Sequence, residues 1–269
     1  LAPRSVELVT WQNALDAYNC VPEIFNLVDR AQCPGIILSD LLISEGTFSV
    51  DPDAVNLQPA IDRGALVADP SPNGDYHRYA DTKTGISPRV VPGYEGFVHV
   101  VATDEHDEAG VLISDEFTNP FIRRQMVEKR ARKFETVARD VPAPKIEGPK
   151  KADVTLVGFG STYGVIKEAI ADLAEQDVTA NQLAIKWIVP FHADAVTAAL
   201  AKAKKIIIIE NNFSGQFAQY MRGETGITAH AHIRKYDGEP LTPRHIVHGV
   251  LDIMVQGTAI YVPTQEIMV

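Results

Sequence analysis

The sequence predicts an α/β protein with a mainly parallel sheet, and three observations carry that prediction. From residue 152 onward, short apolar runs alternate with helical stretches, starting with "VTLVGFGSTYGVIKEAIADL" at residues 154–173. Several of these runs, "KKIIIIEN" above all, are continuously apolar, as parallel strands covered on both faces are. Near the N-terminus the apolar run "PGIILSD" follows an amphipathic helical stretch, which is half of another parallel α/β unit. The chain has 269 residues and is 45% hydrophobic, enough to bury one large core or two medium ones.

The elements follow in order. Trp11, Leu15, Tyr18, Phe25 and Val28 keep a helical period that Pro22 interrupts, so a kink is expected there, or a break with Pro22 in a new first turn. Residues 35–38 read as a buried strand leading to Asp40. Residues 44–97 are rich in Gly, Pro and Asp and show no clear period. A connection of that length marks a functional segment or a packed strap. "FVHVVAT" (97–103) reads as a strand and "DEHDEAG" as a charged loop. Residues 116–139 read as a basic helix, and "DVPAPKIEGPKK" is the clearest linker. In the final segment, strands are expected at 154–157, 183–189, 204–211 and 229–233. Helices are expected at 162–176, 193–203, 214–222 and 242–254.

Net charge is −10, which disfavours nucleic acid as the main partner. No apolar run approaches the ~20 residues of a membrane span, and no signal or transit peptide is visible. The two cysteines, Cys20 and Cys33, make no disulfide framework and cannot supply the usual four thiolates of an iron–sulfur cluster. These features point to a reducing, cytoplasmic setting. The opening "LAPRSVELVTWQNALDAY" reads as the inside of an α/β domain, so an upstream segment is expected before Leu1.

Several groups qualify as candidates for chemistry. In residues 154–173, Gly158 and Gly160 occupy the first and third places of a dinucleotide fingerprint. The sixth place is Tyr163, Gly164 falls one place late, and no acid follows the next strand. A weak anion site remains at Gly160, Ser161 and Thr162, where a helix N-terminus offers free N–H groups. The preferred reading is an ordinary strand–turn–helix junction capped by Ser161 or Thr162. Asp40 stands at the C-terminal end of a parallel strand, where α/β ligands collect. Glu105, His106 and Asp107 could act in acid–base chemistry or hold a metal, although neighbours on an extended segment point to opposite faces. His230 and His232, with His245 and His248, could form a zinc site, but packing histidines are the preferred reading. The basic residues of 123–133 could dock an acidic partner or simply be solvated.

Six segments together resemble one family: "PGIILSDLLISEG", "YHRYADTKTGISPRVVPGYEG", "ATDEHDEAG", "ADVTLVGFGSTYGVIKEA", "WIVPF" and "IIIIENNFSGQFAQYMRGETG". The chain is similar to the C-terminal portion of the alpha subunit of 2-oxoacid:ferredoxin oxidoreductases, most of all the 2-oxoglutarate (2-oxoglutarate synthase) type. The resemblance implies that residues 1–60 end a thiamine-diphosphate-enzyme pyrimidine-binding domain. A strap and basic helix (61–140) and a linker (141–151) follow. Residues 152–269 would form a transketolase-C-terminal-like domain. It further implies conversion of 2-oxoglutarate, coenzyme A and oxidised ferredoxin to succinyl-CoA, CO₂ and reduced ferredoxin, or the reverse. Thiamine diphosphate, Mg²⁺ and a [4Fe–4S] cluster would sit on a beta subunit, within a dimer of alpha–beta pairs. This chain, with the N-terminal remainder of the alpha subunit, would provide pocket wall and assembly. It has neither the family's Tyr-Pro-Ile-Thr-Pro-like loop nor a G-D-G…N diphosphate motif, so no catalytic residue is transferred, and the chain alone is expected to be inactive. Pyruvate or another 2-oxoacid is the alternative substrate. A nucleotide-binding regulatory α/β module is the alternative of another class, one that saturable nucleotide binding lost on Gly160→Val would favour.

Overall fold

The computed structural model describes residues 7–67, 76–101, 104–113 and 119–264. The chain divides into two compact units. The first comprises the described residues of Leu1–Leu8, Val21–Ile36 and Leu57–Val141. The second comprises those of Val9–Cys20, Ile37–Asn56 and Pro142–Val269. Residues 1–60 contribute to both units, whereas the described residues of 61–140 all lie in the first. Strand β1 (Glu7–Thr10), helix α1 (Ala14–Ala31) and strand β2 (Gly35–Leu38) all run from one unit's residues into the other's. Helix α1 is continuous, with Pro22 inside it.

The first unit is built on α3 (Pro120–Asp140). Asn119 caps it, its side chain accepting from the amides of Phe121 and Ile122, and Pro120 takes the first helical position, where no N–H is needed. Only Met126, Lys129 and Val137 of this helix are buried. The helix instead holds the long strap by polar bonds. Lys129 donates to the Tyr79 carbonyl (2.7 Å), and Thr136 to the Thr84 carbonyl (3.0 Å). Arg132 pairs with Asp81, and Lys133 donates to the Gln32 carbonyl (3.2 Å). The basic residues expected to dock a partner therefore spend much of their charge within the unit. The strand expected over 97–103 does not form at 97–101, and 102–103 lie outside the described residues. Val98 is 95% exposed and Val100 and Val101 are also exposed, and among the described residues this apolar run pairs with no strand.

The second unit is the predicted α/β layer structure. Strands β4 (Val154–Phe159), β5 (Ala180–Ile185), β7 (Ile206–Glu210), β8 (Ala231–Arg234) and β9 (Ile260–Tyr261) pair in parallel, and β3 (Ile146–Glu147) adds an antiparallel edge on β5. The order is β3-β5-β4-β7-β8-β9. Helices α4 (Thr162–Ala174), α5 (Ala193–Leu200), α6 (Gln216–Thr225) and α7 (Pro243–Gln256) connect the strands, with α4 packed on α7 and α5 on α6. Leu156, Ile207, Ile209 and Ile233 form one core with Ile166 and Leu173 of α4 and Ile246, Val250 and Ile253 of α7. Val157 and Ile208 alternate with these positions and are also fully buried, so both sheet faces are covered.

Two expected elements change. The run 183–189 is two strands, because β5 ends at Ile185 and β6 (Trp187–Val189) belongs to a second sheet of order β2-β1-β6. Within the second unit the Thr10 amide donates to the Lys186 carbonyl at 3.0 Å. The 141–151 linker contains β3, whose two residues pair with Gln182 and Leu183. The short helix α2 (Leu41–Glu45) follows β2. No helix among the described residues is long and apolar enough to cross a membrane.

Candidate functional site

Strand β4 has β5 on one side and β7 on the other, so the chain reverses its direction of winding between β4 and β7. The crevice outside the carboxyl ends of those two strands is where an open α/β sheet ordinarily receives a ligand. Here the residues following β4 are Gly160, Ser161 and Thr162, and β7 ends at Glu210.

Three of the candidates from sequence, Asp40, Gly160 and Ser161, come together here in the second unit. With Thr10, Trp11 and Phe159 they line a cavity of about 60 Å³. Gly160 has φ +60°, the left-handed conformation that lets the strand turn sharply into α4, and a Cβ there would stand 3.0 Å from Thr10 Oγ1. Ser161 occupies the N-cap of α4 but makes no side-chain cap bond, contrary to the expectation that it would. Its hydroxyl donates instead to Asp40 Oδ2. Asp40 also caps α2, its Oδ1 accepting from the Ile43 amide at 3.3 Å. Thr162 turns inward and donates to the Phe159 carbonyl at 2.8 Å. The indole N–H of Trp11 is buried without a hydrogen-bond partner.

The electrostatic consequence is specific. A helix N-terminus attracts anions, but at α4 the chain's own Asp40 carboxylate is bonded to the N-cap residue. A phosphate arriving there would meet a fixed negative charge, which weakens the nucleotide reading beyond what the displaced glycine does.

The other side of the crevice contains a feature that sequence reasoning missed. Glu210 is fully buried. Its Oε2 accepts from Asn212 Nδ2 (2.6 Å) and the Phe217 amide (2.9 Å), and its Oε1 from the Ala218 amide (3.2 Å). Asn212 Oδ1 accepts from the amides of Gly215 and Gln216 at 2.7 and 3.1 Å. These two side chains satisfy the amides that open α6, which an isolated helix would leave unbonded. The rings of Phe159 and Phe217 stack beside them with centroids 4.9 Å apart. The sequence signal was an acid closing the all-apolar run "IIIIE" before "NNFSG", a strand-end acid placed to cap the next helix.

Glu105, His106 and Asp107 belong to the first unit and do not converge. Glu105 accepts a bidentate pair from Arg130 at 2.8 and 2.9 Å, with Arg123 at 3.5 Å. The hydrogen bonds from Arg130 hold its carboxyl below the ordinary glutamate range against the opposing effect of burial. Asp107 Oδ1 accepts from the amides of Ala109 and Val111, each at 2.9 Å, and so shapes its own loop. His106 donates through Nδ1 to the Asp107 carbonyl at 2.8 Å, and its ring lies 3.9 Å from that of Tyr79. Adjacent side chains in an extended segment point apart, and each has found a separate structural partner. The histidines of the second unit are equally dispersed. His230 Nδ1 accepts from the Ile206 amide, and His245 Nδ1 from the Thr242 amide in the capping box of α7. Among the described residues no group of three or more His, Cys, Asp or Glu is placed to hold a metal.

Comparison with known proteins agrees with this architecture. Residues 152–246, all in the second unit, match the family of pyruvate:ferredoxin oxidoreductase core domain II. The alpha subunit of 2-oxoacid:ferredoxin oxidoreductase 2 from Aeropyrum pernix is 32% identical over 249 residues, which is 90% of this chain and 37% of the relative. The subunit KorA of 2-oxoglutarate oxidoreductase from Mycobacterium tuberculosis is 28% identical over 83% of this chain and 32% of its own length. The chain thus spans about a third of the length of these curated relatives. Among solved structures, the 2-oxoglutarate:ferredoxin oxidoreductase from Magnetococcus marinus, with 2-oxoglutarate, coenzyme A and succinyl-CoA bound, superposes with a TM-score of 0.80. Its sequence identity is 27%, over 92% of this chain and 42% of that one. Over most of its length the chain is thus similar, in sequence and in fold, to a portion of the 2-oxoacid:ferredoxin oxidoreductases, and in sequence to their alpha subunits.

Proposed function

We propose that the chain is part of the alpha subunit of a thiamine-diphosphate-dependent 2-oxoglutarate:ferredoxin oxidoreductase. The observation that carries this reading is the likeness, over nearly the whole chain, to an enzyme solved with 2-oxoglutarate and succinyl-CoA. In this reading 2-oxoglutarate and coenzyme A give succinyl-CoA and CO₂, two electrons pass to ferredoxin, and the reverse direction carries out reductive carboxylation. The described residues at 1–60 belong to the end of the pyrimidine-binding domain, and those at 152–269 to the transketolase-C-terminal-like domain.

The chain's own residues do not fit the redox groups. The Cys33 thiol is tied to the Glu7 carboxylate at 2.6 Å, and burial followed by that hydrogen bond pushes its pKa up. A metal site is absent among the described residues. In this reading thiamine diphosphate, Mg²⁺ and the [4Fe–4S] cluster sit on the beta subunit, with coenzyme A as co-substrate and ferredoxin as electron partner. This chain's share is to wall the pocket, exclude water and hold a cytoplasmic assembly of paired alpha and beta chains.

The test is reduction of ferredoxin or a viologen by the intact complex, offered 2-oxoglutarate, pyruvate and branched-chain 2-oxoacids in turn with coenzyme A. The expected result is the highest kcat/KM with 2-oxoglutarate. Preference for pyruvate would transfer the assignment to the pyruvate type, and no turnover with any 2-oxoacid would overturn it.

A further inference from the structure

The first unit contains a cavity of about 190 Å³ beneath α3. Its lining includes Arg78, Lys129, Arg130, Lys133 and His106, and no lining residue is an aspartate or glutamate. Four permanent or near-permanent cations around one partly enclosed space is an unusual arrangement, because buried charges are ordinarily paired.

The charges are unequally compensated. Arg130 is neutralised by its bidentate bond to Glu105. Arg78 has no ion pair among the described residues. Its guanidinium lies 5.2 Å from the centroid of the Tyr79 ring, a contact that leaves its N–H donors uncommitted. Lys129, only 6% exposed, spends one of its three donors on the Tyr79 carbonyl, and Lys133 spends one on the Gln32 carbonyl. Acids do lie in the surroundings. Asp81 is committed to Arg132, Glu108 to Gln125 and the Asp81 amide, and Glu7 to Cys33. Burial lowers the pKa of both lysines, Lys129 to about 8 with Lys133 adding to the shift, and Arg130 and Arg78 lower Lys133 further against the opposing charge of Glu7. Holding them charged is costly unless an anion enters.

We propose that this cavity is a binding site for a phosphoryl dianion, held by Arg78, Lys129 and Lys133. The geometry favours phosphate over a carboxylate. Three cations without an ion pair among the described residues match a doubly charged group with three or more acceptor oxygens, and Arg offers a planar fork to two of them. The volume exceeds that of several waters, each ~30 Å³ in the liquid, so a bare phosphate or one with a short organic substituent fits. The inference is independent of the reaction proposed above, since it rests on residues of the first unit alone.

The experiment is calorimetric titration of the full chain with inorganic phosphate and, separately, methyl phosphate, in a non-phosphate buffer at constant ionic strength. Saturable binding of inorganic phosphate is expected. Competition by methyl phosphate identifies an esterified phosphate as a permitted ligand, and exclusion of methyl phosphate restricts the site to the inorganic ion. Arg78→Gln should weaken binding by about tenfold or more, as loss of a charged hydrogen bond does. Lys129→Gln should do the same, and Arg124→Gln, an exposed change on the same helix, should leave affinity unchanged. Near-UV circular dichroism of Arg78→Gln checks that the unit stays folded. Heat independent of phosphate concentration, an equal response to chloride, tighter binding of malonate than of phosphate, or indifference to Arg78→Gln would each overturn the proposal.

Discussion

Lys129 is the residue at which burial and charge conflict most openly. It is 6% exposed and makes one hydrogen bond, to the Tyr79 carbonyl at 2.7 Å. Burial first, and repulsion from Lys133 second, lower its pKa from 10.5 to about 8, with Asp81 opposing. Between those two values the unfolded chain binds more protons than the folded one, so stability rises with pH across that window. Below about pH 8 both states carry the proton and the cost of burying it is present in full. Lys129→Met removes this dependence. In urea titrations without phosphate, the native chain should gain on the order of 2 kcal/mol relative to the variant between about pH 7 and about pH 10. Parallel stability curves for the two proteins across that range would show that Lys129 is neutralised by other means. Glu210 is the contrasting residue, a buried carboxylate fully supplied with donors.

At the scale of elements, the junction between β4 and α4 shows how closely strand and helix approach. A Cβ on Gly158 would lie 2.4 Å from Thr162 Oγ1 and 2.7 Å from Ile166 Cδ1, so any side chain there pushes α4 away from the sheet. Gly158→Ala should destabilise the protein by about 1–3 kcal/mol, the usual cost of overpacking. Gly164, inside α4, has nothing within 4 Å of its missing Cβ. Gly164→Ala should therefore stabilise by up to about 1 kcal/mol through helix propensity alone. Thermal unfolding should move in opposite directions for the two variants, and a shared direction would contradict the packing described. The same contrast explains what the sequence made legible. Strands β4 and β7 and helices α4 and α7 were readable because continuous apolar runs and 3.6-residue periods reflect burial directly. The strands β3 and β9 were not, because two residues carry no period and their existence depends on a neighbour distant in sequence, and β6 was read only as a continuation of β5. Val98, Val100 and Val101 failed in the opposite way, apolar enough for a strand but without a strand partner among the described residues. In the crevice, Asp40 and Ser161 were singled out separately by their strand-end and helix-start positions. Their mutual bond spans 121 positions of chain, and no local pattern encodes it.

For the whole molecule, the two units imply different dependence on other chains. The first is rich in polar bonds between a helix and a strap, and the second is a covered sheet with its own continuous core. Neither offers a cluster of metal-ligating groups among the described residues. The purified chain given 2-oxoglutarate, coenzyme A, thiamine diphosphate and Mg²⁺ should show no viologen reduction, and turnover should appear only with the beta subunit and the remainder of the alpha subunit. Reduction by the chain alone would overturn that reading. The carboxylate of Glu210 has a further meaning at this scale. It sits on the opening amides of α6 as a bound oxyanion would, yet it is covalently attached, so it cannot dissociate or be depleted. The amides that open α6 are thereby kept permanently bonded. Stability gained from a free ligand varies with its concentration, and stability gained from Glu210 does not. The start of α6 should consequently keep the same bonds whatever the ligand concentrations around it.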